Sequence, residues 1–229
     1  MNILFLTDSL GYPRVDGAQT KASDTWTYST RDLLETNDSS YSCFFDMKPM
    51  RTSSSLLDEI RSHILSYEPD VIVLQIGIVD CYPRSLTRFE SQVLSRIPIL
   101  KNVSKYFVKK FYRQLIKIRK ISYTTKEEFN NNLQEIKSYF PNAQWLVIPI
   151  APASDEYKEI NPLVESNIDN YNQILKDNFF EDFLEDLFKQ KHDQSIFLDD
   201  NHHLSKYGHT LVRNYITQEI LKLRTQNPE

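Results

Sequence analysis

The segment Val71-Ile72-Val73-Leu74-Gln75-Ile76 is apolar and mostly β-branched over six positions, with one interruption at Gln75. A strand with one face in water alternates apolar and polar residues; a continuous run marks a strand covered on both faces, as in a parallel sheet between two helical layers. Ile3 to Leu6 and Trp145 to Ile150 repeat the pattern, and Tyr41 to Phe45 and Ile196 to Leu198 read as two further strands. Between them lie segments with helical apolar spacing. One begins at Ser23 or Asp24 and runs to about Glu35, with Trp26 and Leu33-Leu34 as core candidates. Leu56 to Tyr67 is stopped by Pro69, and a helix capped at Thr124 or Thr125 carries Phe129, Leu133, Ile136 and Phe140. Val164 to Phe188, with a break near Asn178, and Leu204 to Leu223 complete the set. Strands alternating with helices predict an α/β fold, a three-layer α/β/α sandwich around a central parallel sheet.

The 229 residues suit one domain, residues 1–229, with 40% apolar residues to fill its core. The alternation is interrupted once, at about 85–125, by a basic helical insertion. Lys101 to Lys120 holds eight Lys or Arg and no acid, with Val103, Tyr106, Phe107, Phe111, Leu115 and Ile118 at roughly helical spacing. A core-packed helix with a solvated basic face is one reading; a peripheral membrane contact or an anionic-polymer contact is the other. A formal net charge of -4 argues against a nucleic-acid partner for the whole chain. Two cysteines, Cys43 and Cys81, make no disulfide framework, and the N-terminal apolar run is too short for a secretory segment. These features predict a cytoplasmic protein.

In open parallel sheets ligands bind at the carboxyl ends of the strands. Those ends carry the chemistry here. Ser9 follows the first strand, Gly77 and Asp80 the third, and the last apolar run delivers Asp199-Asp200-Asn201-His202-His203. Asp200 and His203 are three apart, so a tight turn sets the carboxylate against the imidazole and fixes its tautomer. A serine hydroxyl needs such a base to become a nucleophile. Ser9, His203 and Asp200 therefore supply nucleophile, base and orienting acid for acyl transfer. Tyr-Pro-Arg occurs after two strand ends, which would place Arg14 and Arg84 at one crevice as anion-gripping groups. A metal site of Asp200, His202, His203 and His209 is the competing reading of the cluster. It is set aside because adjacent histidines diverge in extended chain, and a hydrolytic metal wants three converging ligands.

Thr7-Asp8-Ser9-Leu10, Gly77-Ile78-Val79-Asp80 and Asp200-x-x-His203-Leu204-Ser205, followed by Gly208-His209, occur in this order over positions 7 to 209. They resemble the first, third and fifth sequence blocks of the SGNH (GDSL-type) esterase and acyltransferase superfamily. The resemblance implies Ser9 as nucleophile, completed by His203 and Asp200, and ester hydrolysis without cofactor or metal. It implies an acylated small molecule or saccharide as partner. The third-block pattern is similar to a branch associated with bacterial surface-polysaccharide biosynthesis. Three departures stand out. Thr7 replaces a glycine, no second-block glycine is found, and Val79 stands where the superfamily's oxyanion-donating asparagine belongs. Backbone N–H groups around Met50-Arg51-Thr52-Ser53, with Gly77, Asp80, Arg14 and Arg84, are the substitutes the sequence offers for oxyanion and substrate contacts. Hydrolysis of a sugar ester, acyl transfer through the same triad, and sugar binding with weakened catalysis are the three functions compatible with these residues.

Overall fold

The computed structural model describes residues 1–13, 20–96, 98–189, 195–198 and 200–226. In chain order its elements are β1 (Asn2–Thr7), α1 (Trp26–Asn37), β2 (Ser42–Met47), α2 (Ser53–Ser62), β3 (Val71–Gln75) and the short α3 (Ile78–Cys81). The insertion folds as α4 (Arg88–Arg96) and α5 (Pro98–Arg119). Then come α6 (Lys126–Ser138), β4 (Gln144–Val147), α7 (Asp155–Ile160), α8 (Val164–Asn178) and α9 (Lys206–Gln226).

The four strands form one sheet of order β2-β1-β3-β4 in which every pairing is parallel. Because successive side chains of a strand point to opposite faces, β1 divides its apolar residues between two cores. Leu4 and Leu6 join Ile72 and Leu74 against Leu56 and Ile60 of α2, Leu133 of α6 and Ile168 of α8. Ile3 and Phe5 join Val71 and Val73 against Trp26 and Leu34 of α1 and Val212, Ile216 and Ile220 of α9. This is the three-layer α/β/α sandwich, and it explains why the strands read as continuous apolar runs. Leu34 is buried as predicted, but Leu33 beside it faces solvent. Thr125 caps α6, its hydroxyl accepting from the Glu128 N–H at 3.1 Å.

One strand departs from expectation. Ile196-Phe197-Leu198 does not join the sheet; Phe197 makes an antiparallel bridge to Leu204 instead. Leu198 donates to the His203 carbonyl at 2.8 Å and Ser205 to the Ile196 carbonyl at 2.9 Å, so the segment doubles back on its own continuation. The helix from Val164 breaks at Asn178 as expected but does not resume toward Phe188; Phe183 instead bridges to Val147 at the free side of β4.

The turn from this hairpin into α9 depends on Gly208. A Cβ there would lie 2.3 Å from the Ile196 carbonyl oxygen, a backbone atom that cannot swing aside. Gly208→Ala is expected to cost about 2–3 kcal/mol through overpacking, read as a lower urea midpoint. Wild-type stability in that variant would show that α9 is not seated against Ile196.

Candidate active site

In the strand order β2-β1-β3-β4, the chain leaves β1 toward β2 on one side and leaves β3 toward β4 on the other, so the connections from these two neighbouring strands diverge. The crevice beyond the carboxyl ends of β1 and β3 is the topological switch point. Ser9 emerges there. The Asp8 N–H extends the ladder to the Gln75 carbonyl at 3.0 Å, and the chain then turns abruptly into a single 3-10 turn, Ser9–Gly11. The Asp8 carboxylate caps that turn, accepting from the Leu10 N–H at 2.9 Å. Among the described residues no acceptor takes the Ser9 N–H, which leaves a backbone donor beside the hydroxyl.

The partner groups arrive from the hairpin before α9. Asn201 takes a left-handed conformation (φ 64°) and donates to the Leu198 carbonyl at 2.9 Å, closing a tight reversal. The Ser154 hydroxyl, from the loop after β4, holds it by donating to Asn201 Oδ1 at 2.8 Å. The reversal turns Asp200 and His203 to one side. Asp200 Oδ1 accepts from the His203 N–H at 2.9 Å and the His202 N–H at 3.2 Å; Oδ2 lies 2.6 Å from His203 Nδ1. Partial burial pushes the Asp200 carboxyl up, but hydrogen bonds from the His203 backbone and ring and the His202 backbone outweigh it and hold its pKa near 2. With Asp200 ionised, the proton at this contact sits on Nδ1. That leaves Nε2 as an acceptor, and it faces Ser9 Oγ at 3.3 Å. The structure thus brings Ser9, His203 and Asp200 into one line across 194 positions of sequence.

The other predicted site residues fall elsewhere. Asp80 is fully buried; it accepts from Ser53 N–H (3.0 Å), Ser53 Oγ (2.9 Å) and Thr124 Oγ1 (2.5 Å). It ties the start of α2 to α3 and the approach to α6, a structural task centred on Oδ1, with Oδ2 accepting from Ser53 N–H at 3.2 Å. The Arg51 guanidinium is 1% exposed and donates to the Thr7 carbonyl at 2.9 Å while pairing with Asp46 and Glu59. It fastens the ends of β1 and β2 to α2. Backbone donors of this stretch are also engaged: Arg51 N–H with Lys48 O, Thr52 N–H with Ser55 Oγ and Ser53 N–H with Asp80. The expectation that this region supplies oxyanion donors is corrected at those three positions. Gly77 caps α3 at φ 111°, and a Cβ there would press within 2.7 Å of Ile150. Its lack of a side chain serves that packing and a conformation that L-residues rarely adopt. The Arg84 guanidinium lies over the Tyr123 ring at 4.7 Å, beside Arg88 at 4.6 Å, at the base of the insertion. Arg14 and Asp199 lie outside the described residues. Val79 is buried in the apolar core and offers no side-chain donor.

Adjacent histidines do not diverge as expected. The His202 and His203 rings sit 4.3 Å apart at 47°, and potential ligand atoms of Asp200, His202 and His203 lie within 4.8 Å of one another. Chain reversal at Asn201 causes this, since the segment is not extended. His209 stands apart from them. Burial lowers its pKa to about 4, and its neutral ring accepts the Trp26 N–H at 3.2 Å, satisfying an orphan donor at the start of α1.

Two features had no clear signal in the sequence. Tyr82 and Tyr157 stack at 5.4 Å, and each ring lies 6.4 Å from His202, forming an aromatic wall next to the triad. Asp8, which caps the 3-10 turn, is also fully buried, with Oδ2 unpaired. Burial raises its pKa to about 7, with Leu10 N–H and Arg51 opposing and Asp80 adding to the rise. The folded pKa exceeds the ordinary value of 3.8, so this group's contribution to stability is complete below pH 3.8 and is lost as pH rises through 7. Asp8→Asn keeps the acceptor for Leu10. It is expected to gain up to about 4 kcal/mol on wild type between pH 4 and pH 8 in urea titrations. An unchanged difference across that range would show that Asp8 ionises freely.

No family model matches the chain, and no curated protein matches it in sequence. Solved structures do match in shape. A lipase/acylhydrolase from Enterococcus faecalis superposes with a TM-score of 0.65 at 13% identity, covering 96% of this chain and 94% of the other. The acetylxylan esterase Axe2 from Geobacillus stearothermophilus gives 0.61 at 14%, covering 96% and 93%. A psychrotrophic esterase from Pseudoalteromonas, solved inhibited by monoethylphosphonate, gives 0.58 at 16%, covering 98% of each chain. These likenesses establish the fold.

Proposed function

We propose that this protein is a serine-dependent acyl-ester hydrolase of the SGNH type, with Ser9, His203 and Asp200 as its triad. The observation that carries the reading is the continuous line from Asp200 Oδ2 to His203 Nδ1 (2.6 Å) and from Nε2 to Ser9 Oγ (3.3 Å), placed at the switch point. Ser9 Oγ attacks the ester carbonyl carbon as Nε2 takes its proton, and Asp200 stabilises the imidazolium. The Ser9 N–H, which no acceptor among the described residues takes, is the donor we assign to the oxyanion. Collapse expels the alcohol, protonated by His203, and leaves acyl-Ser9. Water, deprotonated by His203, then attacks the acyl carbon and releases the carboxylic acid and free Ser9.

The fold match to an acetylxylan esterase supports an acetylated sugar as substrate, and the aromatic wall of Tyr82 and Tyr157 suits a sugar ring's apolar face. Val79, which lacks the donor an asparagine would bring, predicts slow turnover, since one oxyanion donor is worth about 100- to 1,000-fold. Transfer to a sugar hydroxyl shares every step up to acyl-Ser9, and product analysis with candidate acceptors separates it from hydrolysis. The test of the common core is chemical. A serine-directed phosphonate should add its mass to the peptide bearing Ser9, and the protein should release acetate from acetylated xylooligosaccharides or p-nitrophenyl acetate. A protein with neither turnover nor labelling is not this enzyme.

A further inference from the structure

The insertion after β3 presents an unusual face to water. From Tyr106 onward α5, which kinks at Phe111 where the backbone leaves helical geometry (φ -111°, ψ 17°), carries two adjacent lines of exposed side chains. Tyr106, Lys110, Arg113 and Lys117 form one; Phe107, Phe111, Gln114 and Ile118 form the other. Ile118 is 80% exposed, Tyr106 63% and Phe107 54%, values that core-packing helices do not show for large apolar side chains. The aromatic rings cluster in the open. Tyr106 and Phe107 lie 6.0 Å apart and Phe107 and Phe111 6.1 Å, with Lys110 Nζ within 5.9 Å of both Tyr106 and Phe111. Phe89 on the neighbouring α4 is 74% exposed.

The opposite side of α5 is anchored. Ile116 is fully buried, and Arg119 donates to the Ser85 carbonyl at 2.8 Å and pairs with Glu90 at 2.7 Å. The outward residues after the kink, Arg113 to Ile118, are therefore held in place by the fold. The helix also borders the candidate active site. Tyr112 is set against Tyr157 and Asn161, and Tyr157 belongs to the aromatic wall beside His202.

We infer that this face of α5 docks peripherally on an anionic lipid bilayer. Lys110, Arg113 and Lys117 meet headgroup charge while Phe107, Phe111 and Ile118 enter the headgroup–acyl boundary. A soluble polyanion would account for the basic stripe, but not for the apolar stripe beside it; a bilayer surface accounts for both. No helix among the described residues is long and apolar enough to cross a membrane, so the contact is a surface one. The inference is independent of the chemistry assigned to Ser9.

The test is co-sedimentation of the whole protein with vesicles of phosphatidylcholine alone or three parts phosphatidylcholine to one part phosphatidylglycerol. Binding is expected to the anionic vesicles and to weaken by about fivefold for each of Lys110 and Lys117 replaced by glutamine. Phe107→Ser combined with Ile118→Ser is expected to lose roughly tenfold or more, with unchanged thermal melting because both side chains are exposed. The inference is overturned if the anionic vesicles do not bind, or if the double serine variant binds them as the wild type does. Tight binding of soluble polyphosphate, with no vesicle binding, would assign the face to an anionic polymer and equally overturn it.

Discussion

Replacement of Ser9 by alanine is expected to lower ester turnover by about a million-fold, to a residue set by the fold's remaining donors. The magnitude follows from what the side chain does. Without Oγ there is no atom for the acyl group to join, and His203 loses the proton it is positioned to take. Among the described residues the only hydrogen bond removed is the 3.3 Å contact to Nε2, and the turn at Ser9–Gly11 is held by Asp8 and backbone. Folding stability is therefore expected to stay within roughly 0.5 kcal/mol of wild type. Steady-state release of acetate, with a urea titration of the same sample, reads both. If Ser9→Ala keeps more than a small fraction of the activity at full stability, the nucleophile lies elsewhere.

Much of the arrangement around Ser9 was legible in the sequence because its determinants are local. Ile3 to Leu6 and, but for Gln75, Val71 to Ile76 are apolar, as a doubly covered strand requires, and the first leads through Thr7 and Asp8 to Ser9. The Asp200 to His203 spacing is likewise a local matter, since a single reversal suffices to join them. What escaped the sequence depends on partners far along the chain. Arg51 looks like a free cation until Asp46 and Glu59 close on it, and Asp80 looks like a ligand group until Ser53 and Thr124 draw its Oδ1 into the joint between α2, α3 and α6. The run Ile196 to Leu198 is too short to tell a sheet strand from one arm of a hairpin, and the bridge from Phe197 to Leu204 decides for the hairpin. That outcome matters for function. A hairpin seated by α9 presents its tip, with Asp200 and His203, across the sheet edge toward Ser9.

The second large effect concerns that tip. Asp200→Asn is expected to reduce turnover by about 10,000-fold while leaving the shape of the site intact. Asparagine retains an oxygen to accept from the His202 and His203 N–H groups, so the reversal at Asn201 survives. Its amide nitrogen then occupies the 2.6 Å position facing His203 Nδ1, where the carboxylate now accepts. A donor there demands an acceptor at Nδ1, so the ring proton moves to Nε2. The imidazole would then present a hydrogen to Ser9 Oγ in place of a lone pair and could not take the serine proton. The substitution also removes the negative charge that stabilises the imidazolium formed in each step. Because hydrogen bonds hold the Asp200 pKa near 2, wild-type orientation should persist to low pH. The group's stabilising contribution is present above its unfolded value of 3.8 and is lost only as pH falls through 2. Two readouts together test the argument. The rate of acetate release should fall by the stated factor, and the His203 ring nitrogen chemical shifts should report protonation moving from Nδ1 to Nε2. A large rate loss with the Nδ1-protonated tautomer retained would mean that Asp200 acts through charge alone, and an active variant would remove it from the mechanism.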